Sequence, residues 1–175
     1  AVAHVASAAA VRGFLEDYYC TSEAWSVKKS AQRVLNATNS WLHSQTRRSQ
    51  NPYDRDRGYV CTLSALVLKS TTAHLFHVGD SRIYRLRGRE LEQLTEDHRV
   101  RVSQEQSYLG RALGLAAHLD IDYLAVPVEV GDIFVLATDG VYECLDAPTI
   151  IAAFETGGDD FDARAQALVA EALRR

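Results

Sequence analysis

The 175-residue chain contains no methionine, three prolines and three cysteines. Cys20, Cys61 and Cys144 are odd in number and share no metal-finger spacing, which sets aside a disulfide framework and a structural zinc site. Reduced, mostly buried thiols of a cytoplasmic protein are expected instead. No apolar run approaches the roughly 18 residues of a membrane span. No signal peptide is visible, although a chain that starts at Ala1 need not show its natural N-terminus. A basic excess is missing too. With 19 Lys and Arg against 23 Asp and Glu, the net charge is −4, which offers no field for nucleic acid. There is no internal repeat and no low-complexity segment. What remains is a length suited to one domain with a real hydrophobic core.

The order of elements is helices, then strands, then helices, which predicts an α+β fold. Val5, Ala8, Ala9, Phe14 and Leu15 give a helical period over 4–19. A second helix is expected over 27–45, with Val27, Ala31, Val34, Leu35, Thr38, Trp41 and Leu42 as its apolar stripe and Trp41 in the core. Lys28, Lys29, Gln32 and Arg33 form its solvated face. Residues 46–57 read as a polar loop whose arginines, Arg47, Arg48, Arg55 and Arg57, are either plain surface or a basic rim for an anionic substrate. Strands are expected over 61–69, 72–78, 82–87, 90–94, 120–128 and 133–137. A short helix at 140–145 follows, then helices at 149–155 and 161–174, the last preceded by a turn at Gly157-Gly158-Asp159.

Two acids stand out. Gly131-Asp132 opens the apolar run Ile133–Ala137, and Asp139-Gly140 closes it. A continuous run of this kind reads as a strand buried on both faces. An acid at its mouth either caps the short helix that follows or meets a cation, often a metal ion. The second acid, Asp80, lies in Gly79-Asp80-Ser81 between two alternating segments, which reads as a hairpin turn holding Asp80 at a sheet end. Arg82 is read as an ion-pair or packing residue and Asp132 as structural.

Four segments in order, Val78-Gly79-Asp80-Ser81-Arg82, Leu94-Thr95-Glu96-Asp97-His98, Gly110-Arg111-Ala112-Leu113-Gly114 and Gly131-Asp132 through Asp139-Gly140, resemble the motifs of the metal-dependent serine/threonine protein phosphatases of the type-2C (PPM) family. The short segment between His98 and Tyr108 resembles the trimmed flap of bacterial members, and substrate access less gated than in long-flap relatives is expected from it. The resemblance implies two packed antiparallel β-sheets flanked by helices. It also implies hydrolysis of phosphoserine and phosphothreonine by a metal-activated water, with two or three Mn²⁺ or Mg²⁺ ions. It assigns Asp139 to the catalytic metal pair and Asp80 to an additional, weaker metal site. Phosphorylated proteins are the implied substrates, and a cognate serine/threonine kinase, separate or fused in the same polypeptide, the implied partner.

Hard cations suit such chemistry because they neutralise phosphoryl charge and acidify a bound water. No covalent nucleophile is evident: Ser81 has no base in register, and no cysteine opens a Cys-x5-Arg loop. The departures from the family pattern are equally specific. Arg99 stands where the family's Asp-His-Ser has serine, so Asp97-His98 is read as structural or cleft-lining. Ala1-Val2-Ala3 runs into His4 without the family's first Asp-Gly, and its closing Asp-Asn is missing. The expectation is a single phosphatase-like domain, 1–175, incomplete at both ends. The alternative is a catalytically inactive regulatory or binding domain of the same fold.

Overall fold

The computed structural model describes residues 2–48, 58–101, 107–155 and 160–175. The chain divides into two compact units, Ala1–Asp80 with Asp97–Val128, and Ser81–Glu96 with Glu129–Arg175.

In the first unit, helices α1 (Ala3–Tyr18) and α2 (Val27–Arg48) precede strands β1 (Leu63–Lys69) and β2 (Thr72–Val78). Strands β5 (Arg99–Arg101), β6 (Ser107–Leu109) and β7 (Asp122–Pro127) complete it. Alanine-rich sequence favours α1. The Ser26 hydroxyl accepts the Lys29 amide at 3.2 Å to start α2, and Arg47 and Arg48 sit at its C-terminal, negative end. The sheet order is β1-β2-β7, all antiparallel, with Leu63 opposite Val78 and Phe76 opposite Tyr123. Both helices meet this sheet, α1 through β1 and α2 through β2. The core between them contains Phe14, Leu35, Leu42, Phe76 and Leu113. β5 and β6 form a separate two-stranded ribbon.

The second unit holds β3 (Arg82–Arg87), β4 (Glu90–Gln93) and β8 (Ile133–Ala137) in the antiparallel order β4-β3-β8, with helices α3 (Asp139–Tyr142), α4 (Ala147–Glu155) and α5 (Phe161–Ala172). Asp146 accepts the Thr149 amide at 3.1 Å to start α4, and Asp160 accepts the Ala163 amide at 2.9 Å to start α5. Leu145, Ile150, Leu168 and Ala172 form its core, with Leu91, Val141 and Phe154 packed against them. A doubled ion pair ties the far end of β3 to the turn before β8: Arg87 donates to both Asp132 oxygens at 2.7 and 2.8 Å and to Glu129 at 2.7 Å.

The α+β order stands, while several expectations are corrected. Gly79-Asp80-Ser81 is no hairpin turn, because β2 already has β1 and β7 on its two edges and β3 pairs in the other sheet. Alternation also fails, over the last four residues of β2. As a central strand covered on both faces, it buries Leu75, Phe76, His77 and Val78 in succession. β8 is not buried on both faces. Among the described residues it lies at a sheet edge, and Leu136 is 48% exposed. Trp41 is 47% exposed, because the buried stripe of α2 runs through Val34, Leu35, Asn39 and Leu42 and leaves position 41 to one side. On α1 the buried face is Ala6, Ala10 and Phe14, with Val5 and Leu15 outside. The cysteines are free but not mostly buried, with Cys20 exposed and the other two half-buried. The turn at 157–159, the arginines at 55 and 57 and residues 102–106 of the short flap segment lie outside the described residues.

Candidate metal centre

Asp80 and Asp139 occupy equivalent local positions in different units, each two residues beyond the last residue of a strand, β2 or β8. Each is set by its own surroundings.

Around Asp80, the chain is held by glycine and histidine. Gly79 adopts φ +117°, and a Cβ there would stand 2.3 Å from Thr62 Cγ2 and 2.4 Å from Thr62 Cβ, so only glycine fits. The Gly79 amide donates to His98 Nδ1 at 3.0 Å, and the His98 amide donates back to the Gly79 carbonyl at 2.8 Å. Because Nδ1 accepts, the ring proton of neutral His98 resides on Nε2, which donates to Asp122 Oδ2 at 2.8 Å. Arg111 donates to the other Asp122 oxygen at 2.8 Å. Burial pushes the Asp122 carboxyl up, but the His98 and Arg111 hydrogen bonds outweigh it and hold the group below its ordinary range. The His98 ring lies 4.8 Å from that of buried His77, whose Nδ1 is 2.9 Å from Ser64 Oγ. Asp80 itself accepts from Arg99 Nε at 2.8 Å.

Asp139 is the first residue of α3, after Thr138, and is exposed. The expected strand buried on both faces is corrected here too: β8 is partly open, the acid that follows it is exposed, and Thr138 rather than Asp139 holds the cap position. Asp139 Oδ1 accepts the Gly140 amide at 2.9 Å, and the positive end of the helix favours its charge. Nearby in the same unit, the Arg82 guanidinium stacks on the Tyr142 ring at 3.7 Å and donates to Tyr84 at 3.3 Å, which bears out its reading as a packing residue. Asp132 is structural as expected. Its side chain is 1% exposed and paired with Arg87, which holds its carboxyl down at about 2.

The Gly110–Gly114 motif also acts locally. Gly114, at φ +80°, donates its amide to Asn39 Oδ1 at 2.7 Å, and a Cβ there would meet the Tyr59 carbonyl at 2.1 Å. Asn39, 1% exposed, returns a bond to the Ala116 carbonyl at 2.9 Å. Asn39, Arg99, Arg111 and Asp122 have structural parts here that the sequence reading did not assign. Two of them carry a signal in the sequence, Arg99 as the cation that replaces serine and Arg111 as part of the Gly110–Gly114 motif.

Four ordered motifs and two strand-end acids on α+β units decide the kinship. The chain belongs to the protein phosphatase 2C family, whose model matches residues 1–174. Among curated relatives of this protein phosphatase 2C member is the serine/threonine phosphatase stp of Listeria monocytogenes, 32% identical over 99 residues, covering 48% of this chain and 39% of that protein. Protein phosphatase PhpP of Streptococcus pneumoniae is 28% identical over 109 residues, covering 54% and 44%. The matches thus span about two fifths of those relatives' length. The fold is shared with the serine/threonine phosphatase PstP/Ppp of Mycobacterium tuberculosis at TM-score 0.81 and 23% identity, covering 98% of this chain and 76% of that one. It is also shared, at TM-score 0.79 and 23% identity, with a PstP catalytic domain in complex with two manganese ions. That likeness covers 98% of this chain and 75% of the other.

For such ions the carboxylate oxygens of Asp80 and Asp139 are the right kind of donor. In number they fall short, since no group of three His, Cys, Asp or Glu side chains placed to hold a metal occurs among the described residues. Burial pushes the Cys61 thiol up to about 11, away from the reactive thiolate.

Proposed function

We propose that this protein is a metal-dependent phosphoprotein phosphatase that hydrolyses phosphoserine and phosphothreonine with Mn²⁺ or Mg²⁺. Asp139 is read as the ligand to the catalytic ions and Asp80 as a ligand at an additional site. The supporting observation is the matching local placement of these two acids, each two residues past a strand end in its own unit, within a chain that matches the family model over residues 1–174. The chemistry such ions supply is neutralised phosphoryl charge and an acidified water. Phosphorylated proteins are the substrates this reading names, and a serine/threonine kinase the natural counterpart. Among the described residues no helix is long and apolar enough to cross a membrane. A cytoplasmic location is part of the proposal.

The test is turnover of p-nitrophenyl phosphate and of a phosphothreonine peptide by the full-length protein with added Mn²⁺. Turnover should vanish with chelator and in Asp139→Asn. Activity that survives both would end the proposal.

A second reading is an inactive regulatory domain of the same fold, favoured by the lack of a three-donor group among the described residues. Calorimetry with Mn²⁺ on the full-length protein separates the two, since an inactive relative binds no tight pair of ions.

A further inference from the structure

We propose that the Arg99 guanidinium serves Asp80 as a built-in counter-cation, so that a divalent ion binding this carboxylate competes with Arg99. The inference rests on the reading of Asp80 as a metal-binding acid and adds a competitor to it.

The contact itself is direct, Arg99 Nε to Asp80 Oδ2 at 2.8 Å, with the two side chains 32% and 18% exposed. A pair covered to this degree is screened less than one in open solvent. A guanidinium and a divalent ion also repel each other at the same oxygens.

The backbone imposes the meeting. Gly79 and His98 are joined by two reciprocal hydrogen bonds, at 2.8 and 3.0 Å, and the next residue along each strand of chain is Asp80 or Arg99. On the other side, β5 fixes Arg99 opposite Leu109 of β6, and the Gly110 amide donates to the His98 carbonyl at 2.7 Å. Arg99 therefore approaches Asp80 from an anchored stretch of chain, which lowers the entropy lost in holding the pair together.

The sequence marks the device as a property of this chain. Leu94-Thr95-Glu96-Asp97-His98 resembles the family pattern up to the histidine and departs at the next position, where arginine replaces serine. Serine has neither the charge nor the reach to neutralise Asp80. The anchoring bonds belong to Gly79 and His98, so the substitution changes the charge opposite Asp80 and leaves the clamp intact.

The experiment is calorimetric titration of the full-length protein with Mn²⁺ as the parent, Arg99→Ser, Asp80→Asn and the double variant. Arg99→Ser should tighten the weakest Mn²⁺ step by about five- to tenfold. Asp80→Asn should erase that gain in the double variant. Arg99→Gln, which removes the charge but keeps a polar side chain of similar length, should act in the same direction, and metal-free melting curves should match the parent. If Arg99→Ser and Arg99→Gln leave Mn²⁺ binding unchanged or weaker while Asp80→Asn still weakens it in the parent, the competition is overturned and Asp80 stands as a ligand. If Asp80→Asn changes nothing in either background, the competition and the reading of Asp80 fall together.

Discussion

Gly79 and His98 bind each other twice, amide to ring nitrogen at 3.0 Å and amide to carbonyl at 2.8 Å. A glycine that tolerates φ +117° and a histidine fixed in one tautomer thus share the task of aiming the chain at Asp80. Removing the ring should be costly. His98→Ala deletes the acceptor for a buried amide and the partner of Asp122, and should lower unfolding free energy by about 2–4 kcal/mol. His98→Asn, whose amide oxygen can replace Nδ1 but not Nε2, should lose less. Urea denaturation of the three proteins checks the order.

The Arg87–Asp132 pair gives a pH dependence with a definite sign. The Arg87 hydrogen bonds hold the folded Asp132 carboxyl down at about 2, whereas an unfolded aspartate titrates near 3.9. A depressed folded value contributes stability that is present above about pH 4 and lost as pH falls through about 2. Melting temperatures between pH 6 and pH 2 should show the parent's advantage over Asp132→Asn shrinking across that window. An advantage that stayed constant would contradict the assignment.

Asn39 should prove one of the most sensitive polar positions. It is 1% exposed, accepts the Gly114 amide and donates to the Ala116 carbonyl. Asn39→Ala leaves both backbone groups without it and should cost about 2–3 kcal/mol. Asn39→Asp keeps the acceptor but turns a carboxylate toward a carbonyl, and should do no better at neutral pH. Denaturant midpoints of the two variants measure this.

Asp139→Asn should separate chemistry from stability. The side chain is exposed, and its local bond to the Gly140 amide survives in asparagine. Stability should change by no more than about 0.5 kcal/mol, while Mn²⁺-dependent phosphate release disappears. A large fall in melting temperature would mean that the acid is structural.

The sequence announces some elements clearly and conceals others for identifiable reasons. Strands Thr72–Val78, Arg82–Arg87 and Ile133–Ala137 lie where apolar runs bounded by turn residues place them. The partner of each strand is another matter. Gly79-Asp80-Ser81 has the composition of a hairpin turn, yet pairing follows which sheet edges are open, and β2 has both edges filled. The apolar stripe of α2 is drawn too wide at one position: Leu42 is buried as the spacing predicts, while Trp41, one 100° step away, falls outside the buried face through Leu35, Asn39 and Leu42. β5 and β6 are three residues each, too short to display a period. At the candidate site, Asp80 and Asp139 were legible as acids following strands. The contact of Asp80 with Arg99 is not, because 19 residues separate them and the Gly79–His98 bonds, which no local pattern announces, bring them together.

The two kinds of strand that end in these acids should differ in how they shed deuterium. β2 lies between two hydrogen-bonded neighbours, so its amides should exchange slowly along its whole length, whichever side they face. β8 has one neighbour among the described residues, and an antiparallel ladder engages only every second amide of an edge strand. Slow and fast positions should therefore alternate from Ile133 to Ala137. The chain leading to Asp139 would then breathe residue by residue, while the chain leading to Asp80 stays shut.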